Sequence, residues 1–384
     1  MGITRRDVIR TGAVAAGVGL FGVPEWVLPA LAQGEVVVPF ADMPAALPPG
    51  AGERRTFDVR TIDGPFTPID RFFTTQHYGH PVVDPATFRL SVSGLVERPQ
   101  SLSLADLRGL GEATLIAGFE CSGNRRPLQG LSSNGRWTGV PLRTVLDRAG
   151  VPERAKEFVF FGADRGPEEV EFRGQNYSVE QQFGRSLPRE KALSAEPFLA
   201  YSLNGEPLTR HQGSPLRLIV PGWYGVANVK WLSNINVQED AYLGKYQARW
   251  YRTLKGQMID GELRWVESAI TRMQLKSFIA RVTRMGSRHT ILAVVLNDGT
   301  PIKSVEVRMD DGPWRAATPD PATNERFSWK LFSLAWDGAT PGEHTLVSRV
   351  TDANGQVQPT QEDLANKRTF LEDNSQHPRT ITVT

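Results

Sequence analysis

The chain has a single cysteine, Cys121, in 384 residues. That excludes an intramolecular disulfide and a Cys-x-x-Cys-His haem attachment. Charge of one sign is also missing: 44 Lys+Arg stand against 42 Asp+Glu with no basic block. This leaves no electrostatic case for nucleic acid or an anionic membrane as partner. Gly-x-Gly-x-x-Gly and Walker-type loops are absent, so nucleotide binding by those routes is unsupported. Long runs of helical periodicity are scarce, whereas glycine (36) and proline (27) are frequent. That balance favours a sheet-rich fold with many turns.

No stretch reads as a transmembrane span. The apolar residues 11–23 are too few and too glycine-rich to cross a bilayer. They follow Thr4-Arg5-Arg6-Asp7-Val8-Ile9-Arg10 and precede Ala30-Leu31-Ala32. An arginine pair, a short apolar stretch and a small-x-small site read as a twin-arginine signal, with residues 1–32 removed. The expectation is an exported, periplasmic protein that folds around its cofactor before translocation and has no membrane attachment afterwards. The remaining length of roughly 350 residues suggests two domains.

Cys121 lies in Phe119-Glu120-Cys121-Ser122-Gly123-Asn124-Arg125-Arg126. Gly123 and Asn124 suit a tight turn. The two arginines predict a stabilised thiolate, and a soft thiolate suits a redox-active metal. A small buried core cysteine is the competing reading.

Along the chain, residues 33–65 read as an extended, proline-rich lead-in. Residues 88–93 alternate as a strand, and Ser103 with Asp106 forms a capping box before a short helix. Residues 114–119 predict a buried strand leading straight into Cys121. Pro141 opens a helix that Gly150 ends. Residues 157–161 predict a strand followed by a loop at 162–166, and 216–220 another buried strand. This is an α+β pattern. From about residue 265 only strands and turns follow, at 278–283, 291–296, 305–309, 327–332, 345–350 and 380–383, which suggests an immunoglobulin-like sandwich. The expected division is 33–264 for the first domain and 265–384 for the second.

The cysteine segment resembles the molybdenum-binding segment of the sulfite oxidase family, where Cys-x-Gly-Asn-Arg-Arg supplies the metal's cysteine ligand. The resemblance runs from about residue 72 to the C-terminus and is strongest at the cysteine and in residues 198–251. It implies a molybdopterin-binding α+β domain followed by an immunoglobulin-like domain used in homodimerisation. Phe198-Leu199-Ala200-Tyr201, Pro215-Leu216-Arg217-Leu218 and Asn228-Val229-Lys230-Trp231-Leu232 are similar to the family's pterin-domain landmarks. By that resemblance Arg217 and Lys230 hold the pterin and its phosphate, and Asp164 occupies a pterin-contacting loop position. Gln212 stands where the family often has a histidine, with His211 one residue earlier; either could donate to the cofactor.

Phe72-Phe73-Thr74-Thr75-Gln76-His77 resembles the family's Phe-x-Arg-Asn-His segment. Phe73 and His77 match, but Thr75 stands where sulfite-oxidising members carry an arginine that contacts the substrate anion. Losing one charged hydrogen bond there costs about 1.5–3 kcal/mol. Arg126, and Arg368 in Asn366-Lys367-Arg368, match other substrate-contacting cations, and Tyr251 falls at the family's active-site tyrosine. The resemblance thus implies a molybdenum-molybdopterin enzyme oxidising sulfite to sulfate, with Cys121 as metal ligand. No segment resembles the haem domain of animal sulfite oxidases, so electrons are expected to pass to an external acceptor such as a c-type cytochrome. Thr75 keeps a second enzyme reading open, in which a sulfoxide is reduced or carrier-bound sulfane sulfur is oxidised. An exported, non-enzymatic binding protein is the reading from another class.

Overall fold

The computed structural model describes residues 30–45, 47 and 53–384. The twin-arginine segment therefore lies outside the described residues. Strand far outweighs helix among the described residues, and the α-helices are short: Leu104–Gly109, Leu142–Ala149 and Arg189–Ala192. Among the described residues no helix is long and apolar enough to cross a membrane.

Two sheets carry the first part of the chain. One runs in the order Gln100–Leu102, Leu90–Gly94, Leu232–Gln238, Glu157–Phe172 and Gln175–Pro188. Its only parallel pair joins Leu232–Gln238 to Leu90–Gly94. The other is antiparallel, in the order Arg217–Ile219, Phe198–Leu203, Ser132–Pro141 and Ala113–Glu120. Between them lies a core of Leu90, Val92, Phe158, Phe160, Leu199, Leu218 and Ile235. The helix Leu142–Ala149 turns Leu142, Val145, Leu146 and Ala149 into that core and ends at Gly150, whose φ of 70° suits glycine. Pro141 sits just before this helix rather than within its first turn. The helix Leu104–Gly109 has the expected reciprocal box, with Asp106 N–H donating to Ser103 Oγ at 3.1 Å and Ser103 N–H to Asp106 Oδ2 at 2.8 Å.

The loop expected at 162–166 is instead part of the long strand Glu157–Phe172. The ladder to its neighbour shifts register between Phe161 and Arg165. A bulge of this kind bends a strand and re-aims its side chains, and here the redirected residue is Asp164.

Two further antiparallel sheets share a core built from Ile279, Val282, Ile291, Leu334, Val307, Leu346 and Ile381. The strand expected at 327–332 begins only at Lys330. Phe327 bridges Ala117 and accepts from Gly118 N–H at 2.9 Å, which ties that stretch to the strand leading to Cys121. The sheets do not divide at residue 265. That residue lies inside Glu262–Ala269, which forms a hairpin with Arg252–Ile259. The early strand Val36–Val38 joins the edge of Lys276–Met285.

Candidate active site

The strand Ala113–Glu120 delivers Cys121 into a cleft between polar and aromatic side chains. The turn after it is closed by its own polar groups. Cys121 N–H donates to Leu131 O (2.8 Å), and Asn124 Oδ1 accepts from Leu131 N–H (2.9 Å). Asn124 Nδ2 donates to Glu120 Oε2 (2.9 Å), and Gly123 N–H points at Cys121 Sγ (3.4 Å). Asn124 thus shapes the loop that presents the sulfur. Beneath the loop, Lys276 Nζ meets Glu120 Oε2 at 2.9 Å, with both side chains almost fully buried. The expected low thiol pKa does not hold for the protein alone. Burial pushes the Cys121 thiol up, outweighing the Gly123 N–H and the positive charges of Arg54 and Lys230. Neither adjacent arginine turns to the sulfur: Arg125 lies over the Phe370 ring, and Arg126 engages Gln361.

One wall of the cleft is polar and cationic. Lys230 Nζ donates to Thr74 Oγ1 (2.7 Å) and Thr75 O (3.0 Å). Burial, with Arg217 nearby, brings Lys230 down to about 7. Arg217 donates to Gln212 O (3.1 Å) and Gln212 Oε1 (3.2 Å) and lies 4.9 Å from the Trp137 ring centroid. Burial lowers it to about 9, so it stays charged at neutral pH. Asp164 reaches the same wall from the bulge, and burial lifts it to about 6. Close backbone approach fixes this wall. A Cβ at Gly162 would lie 2.8 Å from Lys230 O, and one at Gly213 (φ 92°) would lie 2.9 Å from Lys230 Cα. Glycine alone fits both positions.

The opposite side is aromatic. His77 Nε2 lies 2.9 Å from the Tyr251 hydroxyl, and its ring stacks on Tyr246 at 4.3 Å. Burial, aided by the charges of Lys245 and Lys230, holds His77 at about 4, so the imidazole is neutral. Burial raises Tyr251 well above an ordinary phenol, keeping it a proton donor. Arg185, which the sequence reading did not single out, supports this side. It is buried, donates to Tyr246 O and to Ile270 O (2.7 Å), and anchors the segment that carries Tyr251. The sequence signal was its alternation with Phe183 and Leu187, which puts an arginine on an apolar strand face.

Residues 77–246 match the family model described as an oxidoreductase molybdopterin binding domain. The chain is 31% identical to sulfite oxidase of Gallus gallus, covering 76% of this chain and 68% of that protein. It belongs to the sulfite oxidase family. It is also 26% identical to sulfite oxidase of Arabidopsis thaliana, over 76% of this chain and 82% of the relative. Among solved structures, the sulfane dehydrogenase SoxCD from Paracoccus pantotrophus matches with a TM-score of 0.73 at 25% identity, covering 90% of each chain.

Membership of the sulfite oxidase family implies a molybdopterin, and the cleft's donor set fits one. Two buried atoms on the polar wall, Asp164 Oδ1 and Arg217 Nε, have no hydrogen-bond partner among the described residues. Buried polar groups are seldom left so, and a polar heterocycle with a phosphate could satisfy both. Phe73, His77, Cys121, Asp164, Arg217, Lys230 and Tyr251 all line the same cleft.

Three expected site residues do not. Gln212 is buried behind Arg217, accepting from it and donating to Phe72 O at 3.2 Å, so it braces the wall instead of lining it. Arg126 points outward to Gln361, with Asp373 Oδ2 3.7 Å away. Arg368 stacks 4.9 Å from the Trp265 ring centroid and donates to Ala365 O at 3.1 Å. Neither arginine lines the cleft. The match around Arg368 is short, whereas Arg126 belongs to the strongly matching cysteine segment; both side chains find partners outside the cleft. Thr75 does line the cleft, with its carbonyl held by Lys230.

Proposed function

We propose that this enzyme oxidises sulfite to sulfate by oxygen-atom transfer and hands two electrons, one at a time, to a separate acceptor such as a c-type cytochrome. The observation that carries the reading is the meeting of one thiol, Cys121, with a cationic wall and a neutral Tyr251–His77 pair in one cleft. Bound molybdenum-molybdopterin would supply the two-electron redox centre and the oxygen exchange. In balance, sulfite and one water give sulfate, two protons and two electrons.

The chain's own residues position and tune this chemistry. Cys121 would give up its proton to ligate the metal, because a bound cation reverses the effect of burial on a thiol. Lys230 and Arg217 would hold the pterin phosphate by charge-assisted hydrogen bonds, and Asp164 would accept from the pterin's N–H groups. Tyr251 is positioned to donate its hydroxyl to a substrate oxygen as charge develops there, while His77 fixes that hydroxyl's direction. Phe73, Phe119 and Phe183 keep the cleft dry enough for these interactions to be strong. The same reading takes the chain to be exported by the twin-arginine route, on the strength of Arg5, Arg6 and the following apolar stretch. It also takes the strand-rich C-terminal part as an immunoglobulin-like dimerisation domain.

A second reading is favoured by one specific observation: position 75 is threonine, and Arg126 and Arg368 both turn away from the cleft. Carrier-bound sulfane sulfur, or a neutral sulfoxide, needs fewer cations than free sulfite. The deciding experiment is sulfite-dependent reduction of ferricyanide and cytochrome c by protein of known molybdenum content. Turnover that Cys121→Ser abolishes is the expected result. No turnover at close to one molybdenum per chain would reject sulfite and favour the second reading.

A further inference from the structure

The strand-like segment before residue 57 runs beside the segment that carries Thr75. Arg55 N–H donates to Thr74 O at 3.0 Å, and Thr74 N–H donates to Arg55 O at 3.1 Å. This two-way exchange marks a hydrogen-bonded antiparallel pair. The bridge is an isolated one, and the residues next to it in register are Arg54 and Thr75. Directly opposed residues project their side chains to the same face, and in the non-hydrogen-bonded position they stand closest. Thr75 lines the cleft, so the register sends Arg54 toward that same side; Arg54 itself is exposed and, like Arg126 and Arg368, is not among the lining residues.

The segment is fixed on both flanks. Downstream, Phe57 N–H donates to Gly130 O at 2.8 Å. Upstream, Glu53 Oε2 lies 2.8 Å from His80 Nδ1 and 3.3 Å from Arg210 Nη2. Among the described residues Arg54 makes no hydrogen bond or ion pair, although Glu53 and Arg55 beside it both do. Its charge nevertheless acts on Tyr251 in the cleft, favouring the ionised form.

We propose that Arg54 is the substrate-binding cation of this cleft, supplying from the neighbouring segment the positive charge that Thr75 lacks. It holds an oxygen of a tetrahedral or pyramidal sulfur oxyanion on the Tyr251 side, over Cys121. The inference rests on the reading that the cleft takes such an anion. It explains how an anion site survives with a threonine at position 75: the guanidinium reaches the same place from one strand over.

The test is binding of inorganic sulfate, by calorimetry at low ionic strength, to molybdenum-loaded protein and its variants, with the sulfite KM measured alongside. Arg54→Gln is expected to weaken sulfate binding and raise KM by about tenfold or more, the loss of one charged hydrogen bond, with kcat changed less. Arg54→Lys should keep most of the affinity. Adding Thr75→Arg to Arg54→Gln should restore binding to within about threefold of wild type. Unchanged sulfate affinity in Arg54→Gln overturns the proposal. So does a loss that Thr75→Arg fails to rescue, since that marks a merely structural role, and so does a wild-type protein that binds no sulfate. Sulfite turnover that ignores Arg54 sinks this inference and leaves the sulfite reading standing. Arg54-dependent sulfate binding without sulfite turnover does the reverse.

Discussion

The floor and the rim of the cleft are built differently. On the floor, Cys121, Asp164, Arg217 and Lys230 stand at strand ends or bulges, backed by a core in which most side chains are fully buried. Their positions follow from ladder register and from glycines that tolerate no side chain. On the rim, Arg126 and Arg368 sit on surface segments where Gln361, Asp373 and the Trp265 ring hold them. A buried polar residue has few places to go, because an unpaired group there costs roughly 1–3 kcal/mol. An exposed arginine has many, since surface ion pairs are worth about 0–1 kcal/mol each. Motif matching is thus a safer guide to the floor than to the rim.

The largest effect should come from cutting the floor's support. Lys276→Met leaves Glu120 buried without its partner, directly behind the cysteine loop. Unfolding in urea should show a loss of about 3–5 kcal/mol. A loss under about 1 kcal/mol would mean that the floor is less tightly determined than its burial suggests.

Tyr251→Phe comes next. It keeps the ring in its aromatic setting and removes the hydroxyl that His77 orients. Removing one donor to developing charge should lower kcat by about 10²-fold, with metal content unchanged. A fall in molybdenum instead would assign Tyr251 to holding the cofactor.

A pH experiment on cofactor-free protein sharpens the contrast further. Lys230 has a native pKa of about 7 against an ordinary value of 10.5. Between those values the unfolded chain binds more protons, so this group makes stability rise as pH rises. Below about pH 7 the residue is charged in both states and contributes no slope. The stability difference between wild type and Lys230→Met should therefore change across pH 7 to 10 and stay flat below. A difference independent of pH would show Lys230 to be better solvated than its position suggests.

The smallest effect is expected at the rim. Arg126→Ala and Arg368→Ala should each change the sulfite KM by less than about threefold, in line with exposed pairs. A tenfold rise at either would mean that substrate draws the side chain inward and that the rim, too, obeys the motif.

Much of this architecture was legible in the sequence where short-range physics decides. The capping box at Ser103–Asp106 and the helix stop at Gly150 are satisfied within a few residues of chain. The strand into Cys121 shows as a buried run followed by turn residues. The Asp164 bulge was not legible, because it depends on how two ladders fall out of register. The late start of Lys330–Trp336 depends on Phe327 bridging a strand some 200 residues earlier. The direction of the Cys121 pKa was misread for a related reason. Sequence neighbours supplied two positive charges, but folding buried the sulfur and turned both arginines elsewhere.

By itself the sequence determined the thiol, the loop residues that present it, and the basic, acidic and aromatic residues that meet it. Side-chain chemistry travels with the residue, and local turns and caps close over a few bonds. Only the tertiary structure decided which of those groups face one another. Gln212 became a brace for Arg217, Arg126 and Arg368 became surface anchors, and Arg55 came to bridge Thr74, which sets Arg54 beside Thr75. That last choice rests on backbone hydrogen bonds between segments with no sequence signal for each other, since the main-chain groups that set a register are the same in every residue.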